Sequence, residues 1–295
     1  MNTHTLALPG SPYADAVRDL LDRVERADGI AALSEQFVLG IGDARLGHRH
    51  ALVTEGERVI GLLAADKEAE LAVDPEHRRR GVATRLLSAL PPAPVWAHGN
   101  LPAAQALASR RGMEPTRRLL VLGIEGEALA RAARAAQTGA PGGYALSNLE
   151  ELVGRWGRDR VLDAWLRANN EAFSWHPEQG GWDRARLERG MEAPWFDPQG
   201  VLFLTEGEEL AGFHWTKWHE GEGGLGEVYV VGLAEAYRGR HLGGSLLRAG
   251  LEHLVGRGAR RVVLYVEADN QAALKAYYRL GFQVAEEHVV YTQDS

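Results

Sequence analysis

A short basic turn that contains glycine is the stretch of this chain best suited to chemistry. Its sequence RGRHLGG, residues 238–244, follows the β-branched and aromatic run EVYVV, residues 227–231, and precedes apolar residues at helical spacing. The two patterns predict a strand that meets a helix through this turn. The first N–H groups of a helix lack partners and carry the positive end of its dipole, so the turn can bind a pyrophosphate.

A second segment strengthens this interpretation. The predicted strand 262–267 is followed by Asn270, Ala273, Tyr277 and the pair Gly281-Phe282. Together with the pattern Arg-x-x-Gly-x-Gly/Ala at the turn, this segment resembles the acetyl-CoA-binding signature of the Gcn5-related N-acetyltransferases (GNAT). At the turn, His241 replaces the inner glycine of that signature.

The same features occur earlier in the chain. Residues 78–83, with the sequence RRRGVA, match the full signature between a predicted strand and a predicted helix. The segment TEGE also recurs, at residues 54–57 and 205–208. Repetition in the same order indicates a tandem duplication of one α/β domain.

The duplication and the length set the predicted domains. A chain of 295 residues suits two domains of about 150 residues each. The glycine- and proline-rich stretch around Gly139 predicts a boundary between domain 1–138 and domain 139–295. The resemblance implies an α/β (α+β) fold of two GNAT domains, each a mixed, mostly antiparallel sheet flanked by helices.

Composition excludes several classes of protein. The absence of cysteine excludes disulfides, thiolate zinc sites and a cysteine nucleophile. A net charge of -7 argues against a nucleic-acid partner. No apolar run reaches the roughly 18 residues of a membrane span, and the N-terminal sequence lacks the pattern of a signal peptide. We therefore expect a cytoplasmic monomer that uses no metal and no membrane.

Acetyl transfer from a thioester to an amine defines what the site needs. The amine must lose a proton, the carbonyl oxygen must be stabilised, and the departing thiolate must gain a proton. Glu227 begins the strand that leads to the turn and can accept a proton from an amine of pKa about 8. Tyr277, a phenol of pKa about 10, can protonate the thiolate. Backbone N–H groups near Val231 and Leu233 are candidates for holding the carbonyl.

The first copy lacks these groups at the corresponding spacing. Counted from the shared arginine of the turns, Lys67 takes the position of Glu227. Counted from the shared glycine that follows the last helix, Ala108 takes the position of Tyr277. The first domain is therefore predicted to bind acetyl-CoA, as a second molecule, without turning it over.

Four segments carry a closer resemblance. Residues 169–182, 213–217 and 226–232, with residues 96–99 of the first copy, resemble the mycothiol synthase family of the actinobacteria. That resemblance implies N-acetylation, by acetyl-CoA, of the cysteinyl amine of 1D-myo-inositol 2-(L-cysteinylamino)-2-deoxy-α-D-glucopyranoside. This is the last step in making mycothiol.

The resemblance also assigns roles to residues. It implies that Glu227 is the base and Tyr277 the acid. The implied contacts of the acceptor are Glu35 from the first copy, Glu178, Lys217, Glu227 and Tyr265. The implied cofactor contacts are Val231, Gly232, Leu233, Arg238, Gly239, Arg240, His241, Leu242, Gly243, Gly244, Asn270, Ala273 and Lys275. A second implied set comprises Leu71, Ala72, Val73, Arg79, Arg80, Gly81, Val82, Ala83 and Thr84.

Two alternatives remain open at this point. The chain could be a GNAT enzyme for another amine, such as an aminoglycoside, a peptide α-amine or a polyamine. It could also be a non-catalytic acetyl-CoA sensor, although the presence of Glu227 and Tyr277 argues against that. The polar segment HPEQGGW, residues 176–182, favours an acceptor that resembles a sugar.

Overall fold

The chain folds into two compact units. The computed structural model describes residues 1–134, 140, 142–174 and 179–293. The first unit comprises Met1–Leu120 and Glu286–Ser295, and the second comprises Val121–Ala285. The predicted boundary after residue 138 falls outside the described residues, and the predicted division of roles between two domains stays a prediction.

The first unit is a mixed, mostly antiparallel sheet with helices. Its strands are β1 (Asn2–Leu6), β2 (Arg49–Glu55), β3 (Arg58–Ala65), β4 (Ala69–Val73) and β5 (Val95–Ala97). Its helices are α1 (Ala14–Asp28), α2 (Glu35–Leu39), α3 (Val82–Leu87) and α4 (Pro102–Arg111). The strands lie in the order β1-β2-β3-β4-β5, and the pair β4/β5 is parallel while the others are antiparallel.

The second unit repeats this plan. After β6 (Met113–Glu125), which crosses from the first unit, come α5 (Gly126–Arg134), β7 (Ala145–Asn148), α6 (Leu149–Trp156), α7 (Arg158–Ala172) and α8 (Arg184–Met191). They are followed by β8 (Val201–Glu206), β9 (Glu209–His219), β10 (Leu225–Leu233), α9 (Gly243–Gly256), β11 (Arg261–Glu267) and α10 (Gln271–Leu280). The strand order is β11-β10-β9-β8-β7, and β10/β11 is the parallel pair.

An aromatic core supports the second unit. Trp165 on α7 packs edge-to-face against Phe203 at 5.5 Å and against Trp215 at 5.0 Å between ring centroids. All three side chains are almost completely buried. Each large aromatic ring removes 150–250 Å² of surface from water, so this cluster fixes α7 on the face of β8 and β9.

The last strand of the chain belongs largely to the first unit. This strand, β12 (Gln283–Gln293), pairs antiparallel with β5, with Val289 facing Ala97 and Tyr291 facing Val95. Val289 and Val290 are buried there. The sequence predicted these residues in the second domain, whereas the compact units divide after Ala285.

Within the part of the chain that the structure describes, no helix is long and apolar enough to cross a membrane.

Candidate active site

A bulge in β10 coincides with an opening of the sheet. The pairing of β10 with β9 shifts register between Val228 and Val230, so Tyr229 is an extra residue on β10. The pairing with β11 ends where Val228 faces Leu264, whereas the pairing with β9 continues to Leu233. Beyond Val228, β10 therefore has a strand partner on one side only among the described residues.

Backbone donors of β10 point into this opening. The Ala234 N–H donates to the Ala211 carbonyl on β9 at 3.0 Å. N–H groups alternate in direction along an antiparallel strand, so those of Val231 and Leu233 point away from β9. An extended ligand with amide groups can pair with such donors as an added strand. The predicted role of these two N–H groups agrees with that direction.

The turn that follows β10 uses two left-handed residues. Gly239 has a φ of 78° and His241 a φ of 60°. His241 thus adopts the backbone conformation for which the GNAT signature uses glycine, and histidine is one of the non-glycine residues more often found there. Helix α9 begins at Gly243 without a side-chain cap. The N–H groups of Gly243 and Gly244 therefore remain available to an anion.

The two arginines of this turn have different surroundings. The Arg238 guanidinium donates to the backbone carbonyl of Glu171, near the C-terminal end of α7. Arg238 therefore ties the turn to α7. Arg240 lies 4.8 Å from the Tyr237 ring centroid and 3.8 Å from a carboxylate oxygen of Glu206, and its side chain is 49% exposed.

The corresponding turn of the first unit also has two left-handed residues, but there glycine is the second of the two, whereas in the second unit it is the first. Arg79 has a φ of 62° and Gly81 a φ of 81°. Arg78 donates two hydrogen bonds to the Asp28 carboxylate, at 2.8 and 2.7 Å. Asp28 ends α1. The first arginine of each turn therefore anchors it to the preceding long helix.

A cleft of about 770 Å³ opens beside this turn in the first unit. That volume is typical of a small-molecule site. Asp74 N–H donates to the Ile60 carbonyl on β3 at 3.0 Å, so by the same alternation the N–H groups of Leu71 and Val73 point away from β3. Eight of the nine predicted cofactor residues line the cleft: Leu71, Ala72, Val73, Arg79, Gly81, Val82, Ala83 and Thr84. Arg80 is not part of the described lining.

Glu227 is a buried carboxylate at the bulge. It lies on β10 directly opposite Lys217 of β9, and its side chain is 8% exposed. Its Oε2 lies 2.8 Å from His219 Nε2. The hydrogen bond and the neighbouring ammonium group compensate for the loss of water around the carboxylate.

Lys217 is held among aromatic rings. Its Nζ lies 5.0 Å from the ring centroid of Trp195 and 5.9 Å from that of Tyr229. Cation–π attraction at these distances offsets part of the cost of placing the ammonium group in a nearly buried position. Lys217 and Glu227, predicted to contact the same acceptor, are therefore brought together as a cross-strand pair.

Tyr277 lies on α10, within the closing segment. Its ring packs edge-to-face on Phe282, with the centroids 5.8 Å apart. Burial raises the pKa of Tyr277 from 10 to about 12, so the phenol keeps its proton at neutral pH. Glu227 and Tyr277 make no direct contact with each other in the described part of the chain, and their roles stay predictions.

The start of α10 explains one predicted cofactor residue differently. The Asn270 side chain accepts a hydrogen bond from the Ala273 N–H at 3.1 Å and caps the helix. Lys275 lies exposed on the same helix. Asn270 thus has a structural function, and ligand contact at this helix stays a prediction.

The remaining predicted acceptor residues are distributed over both units. Tyr265 follows Leu264, the last residue of β11 that pairs with β10, and is 51% exposed. Glu35 is the exposed first residue of α2 in the first unit. Glu178 lies outside the described residues, as do the other residues of the segment 175–178.

The strand pairing corrects the position compared with Glu227 in the first unit. On β3 and β4, Ala65 faces Ala69, and β4 lacks the extra residue of the β10 bulge. When the extra residue Tyr229 is left out of the count, Glu68, not Lys67, takes the position of Glu227. Glu68 accepts a hydrogen bond from Trp96 Nε1 at 2.6 Å. The comparison with Lys67 was wrong because a fixed spacing ignores a one-residue bulge.

Sequence reasoning missed the role of His219 and assigned no function to Asn169 and Asn170, although both lie in a segment that carries the family resemblance. His219, which contacts Glu227, lies two residues beyond Lys217 on the same face of β9, a diagonal relation that the strand register could have indicated. Asn169 donates to the Gln179 carbonyl at 2.8 Å, and Asn170 exchanges hydrogen bonds with the backbone of Trp182. The adjacent asparagines therefore anchor residues 179–182.

Comparison with known proteins identifies the class. The acetyltransferase (GNAT) family model matches residues 162–282. A tandem GNAT protein from the clavulanic acid biosynthesis pathway has a similar fold, with a TM-score of 0.69 at 18% identity, covering 98% of this chain and 97% of that one. A GCN5-related N-acetyltransferase from Sphaerobacter thermophilus also has a similar fold, with a TM-score of 0.68 at 20% identity. The match covers 98% of this chain and 94% of that one. The fold is that of a tandem GNAT acyltransferase, as predicted.

Relatives at higher identity define the family within that class. The mycothiol acetyltransferase of Corynebacterium aurimucosum is 54% identical and that of Corynebacterium efficiens 56% identical. The first alignment covers 99% of both chains, and the second covers 92% of this chain and 90% of the relative. The chain belongs to the mycothiol acetyltransferase family, which confirms the resemblance noted from its sequence.

Proposed function

We propose that this protein transfers the acetyl group of acetyl-CoA to the cysteinyl amine of 1D-myo-inositol 2-(L-cysteinylamino)-2-deoxy-α-D-glucopyranoside, giving mycothiol and CoA. The observation that carries the proposal is the buried Glu227 carboxylate at the bulge of β10, where the pairing with β11 ends and N–H groups directed away from β9 begin. The names of the relatives support the acceptor.

The second unit fits acetyl-CoA by its backbone. The N–H group of Leu233, farther from the bulge than that of Val231, suits an amide of a pantetheine arm, and the N–H groups of Gly243 and Gly244 suit a pyrophosphate. Arg240 adds a positive charge beside the turn. When bound, acetyl-CoA supplies an acetyl group activated as a thioester.

The side chains of the second unit supply the proton transfers. Glu227 accepts a proton from the attacking amine, and Tyr277 donates one to the departing thiolate. The raised pKa of Tyr277 keeps its proton in place at neutral pH, and the N–H groups beyond the bulge stabilise the carbonyl oxygen. Lys217 and Tyr265 offer polar groups to the hydroxyl-rich acceptor.

Assay of two variants tests this assignment. We expect Glu227→Gln and Tyr277→Phe each to lower kcat by about a hundredfold or more, with acetyl-CoA affinity nearly unchanged, because both groups act in the transition state. The acceptor carries its own thiol, so a reagent that detects thiols would not distinguish it from CoA. CoA and the acetylated product are therefore best separated by chromatography and identified by mass spectrometry. Full turnover by either variant would refute its role.

The same assay separates the alternatives. Acetylation of simple amines but not of the cysteinyl pseudodisaccharide would point to another GNAT acceptor. Absence of CoA release with any amine, in a protein that still binds acetyl-CoA, would point to a sensor.

We also propose that the cleft of the first unit binds a second acetyl-CoA. Its volume, its lining by the signature residues, and the direction of the Leu71 and Val73 N–H groups support this. Neighbouring arginines provide a matched test, because Arg79 lines the cleft and Arg80 is not part of the described lining.

Calorimetric titration with acetyl-CoA should resolve two sites in the unaltered protein. We expect Arg79→Ala to weaken one of them about fivefold or more through the loss of a charge near the phosphates, while Arg80→Ala changes it less and both variants keep turnover. A single site in the unaltered protein would exclude the second molecule. Loss of turnover in a folded Arg79→Ala protein would show that the two sites are coupled.

A further inference from the structure

The surroundings of Glu227 suggest how its proton leaves. Its side chain is 8% exposed, His219 is 18% exposed, and Glu222 is 59% exposed. Glu227 Oε2 lies 2.8 Å from His219 Nε2, and His219 Nδ1 lies 3.6 Å from Glu222 Oε1. One imidazole ring therefore stands between the buried carboxylate and an exposed carboxylate at the surface.

The proposed reaction requires such an exit. An α-amine has a pKa near 8, so at neutral pH the acceptor arrives mainly as an ammonium ion. Forming the amide from an ammonium ion and a thioester yields a thiol and one proton that must reach solvent. The nitrogen–carbon bond forms, the carbon–sulfur bond breaks, and the thiolate takes its proton from Tyr277. The ammonium nitrogen loses two protons: one goes to Glu227 before the amine attacks, and the other, lost after the attack, restores the proton of Tyr277.

Glu227 is poorly placed to release that proton alone. Strands β9 and β10 enclose it, with Lys217 directly across and the Trp195 and Tyr229 rings around the Lys217 ammonium. Direct exchange of a proton with water is slow for a group with so little exposure. His219 contacts one carboxylate oxygen and leaves the other for the amine.

We propose that His219 is the positioning and proton-exit residue of this site, holding Glu227 through Nε2 and releasing the proton of each turnover from Nδ1 beside Glu222. Imidazole is suited to this because it has two tautomers. With its proton on Nε2 the ring donates to the Glu227 carboxylate, and with its proton on Nδ1 it accepts the proton of Glu227 at Nε2 while Nδ1 releases its own proton beside Glu222. Two carboxylates lie beside the ring, those of Glu227 on β10 and Glu222 in the loop after β9, and Lys217 lies two residues earlier on the same face of β9. The inference rests on the proposed function, since it assumes that Glu227 is the base.

Replacement of His219 by two different residues tests the relay. Glutamine can still donate a hydrogen bond to Glu227 but cannot pass a proton on, so His219→Gln should keep the KM for the acceptor within about twofold while kcat falls about tenfold or more. His219→Ala should lower kcat by a similar factor. Added imidazole should restore much of the loss in His219→Ala and little in His219→Gln, where the amide fills the space.

His253 is the matched control. It too is 18% exposed and lies in the second unit, with its Nε2 3.1 Å from the Asp197 carboxylate. It has no part in the proposed site. His253→Gln should therefore keep both kcat and KM and show no response to imidazole.

The outcomes are separable from those of the proposed function. A His219→Gln protein with unaltered kcat would show that hydrogen bonding alone suffices, and the relay would be wrong. A His219→Ala protein that loses activity and gains none with imidazole, whatever its thermal stability, would equally overturn it. Unaltered turnover by Glu227→Gln would instead refute the base, and with it the proposed function, independently of His219.

Discussion

Each of the two strand-to-helix turns, residues 78–81 and 238–241, contains two residues in left-handed backbone, and each copy places glycine at a different one of them. The first unit has Arg79 and Gly81, and the second has Gly239 and His241. A residue with a Cβ atom in this conformation costs roughly 1–2 kcal/mol. Both copies therefore keep the same turn with one strained residue, which shows that the inner glycine of the signature is replaceable when the rest of the turn holds the backbone.

Relieving this strain gives a residue-scale prediction. His241→Gly should raise the free energy of unfolding by up to about 1 kcal/mol, because glycine adopts positive φ without a steric cost. The affinity for acetyl-CoA should stay within about twofold, since the turn already has the required shape. Chemical denaturation and calorimetric titration measure the two quantities.

The adjacent arginine is the control for this change. Arg240 is not among the residues with positive φ, so Arg240→Gly should lower stability by about 0.5–1 kcal/mol through backbone entropy, and somewhat further through the loss of its contact with the Tyr237 ring. A less stable His241→Gly protein, or one that binds acetyl-CoA tenfold more weakly, would contradict the strain argument.

At the scale of elements, helix α9 packs on β9 through a glycine and a histidine. A Cβ atom at Gly250 would lie 2.0 Å from His214 Cε1 and 2.1 Å from its Nδ1. His214 is completely buried, and burial lowers its pKa from 6.5 to about 4. The folded state therefore holds the neutral ring, and acidification from pH 6.5 towards 4 favours the unfolded chain, which can take up the proton.

Alanine substitutions in α9 test this contact. Gly250→Ala should lower the free energy of unfolding by about 2–3 kcal/mol, because the ring of His214 has to move within a packed interface. Gly256→Ala, in the same helix, meets no atom within 4 Å and should instead add up to about 1 kcal/mol through helix propensity. Urea denaturation measures both. Equal effects of the two substitutions would mean that α9 does not pack on β9 as described.

At the scale of the whole molecule, the first unit is built from two separate stretches of the sequence, Met1–Leu120 and Glu286–Ser295. Its β5 pairs with β12, Gly99 N–H donates to His288 Nδ1 at 3.0 Å, and the Tyr291 hydroxyl donates to Asn100 at 2.9 Å. Tyr291 also lines the cleft of this unit. A stretch near the C-terminus thus forms part of the structure that holds the proposed second acetyl-CoA.

This organisation predicts how a fragment behaves. A protein of residues 1–138 should lack a cooperative unfolding transition or melt far below the full chain. Loss of the buried Val289 and Val290 side chains alone lowers the free energy of unfolding by about 3–6 kcal/mol, which is comparable to the total stability of a domain. Circular dichroism and calorimetry would show this.

The control restores the missing strand. Joining residues 283–293 to the fragment through a glycine-serine linker should recover a cooperative transition. If residues 1–138 alone unfold at the temperature of the full chain, β12 is dispensable for the first unit.

The sequence predicted the features that are local and missed those that depend on pairing. The turns, their strands and their helices follow from periodicity and from the order of arginine and glycine. The bulge at Tyr229 adds one residue to β10, and nothing in the local sequence indicates it. Counting residues back from the turn therefore aligned Lys67 wrongly with Glu227. The contact of His219 with Glu227 and the pairing of β12 with β5 depend on strand register and on distant partners, which spacing along the chain does not encode.

The pairing of β12 with β5 has a consequence for synthesis on the ribosome. Domains usually begin folding as soon as they emerge, at about 5–20 residues translated per second. Here the amino-terminal half stays partly assembled until β12 has left the ribosome. A truncation that removes β12 would therefore damage the half of the enzyme that was made first.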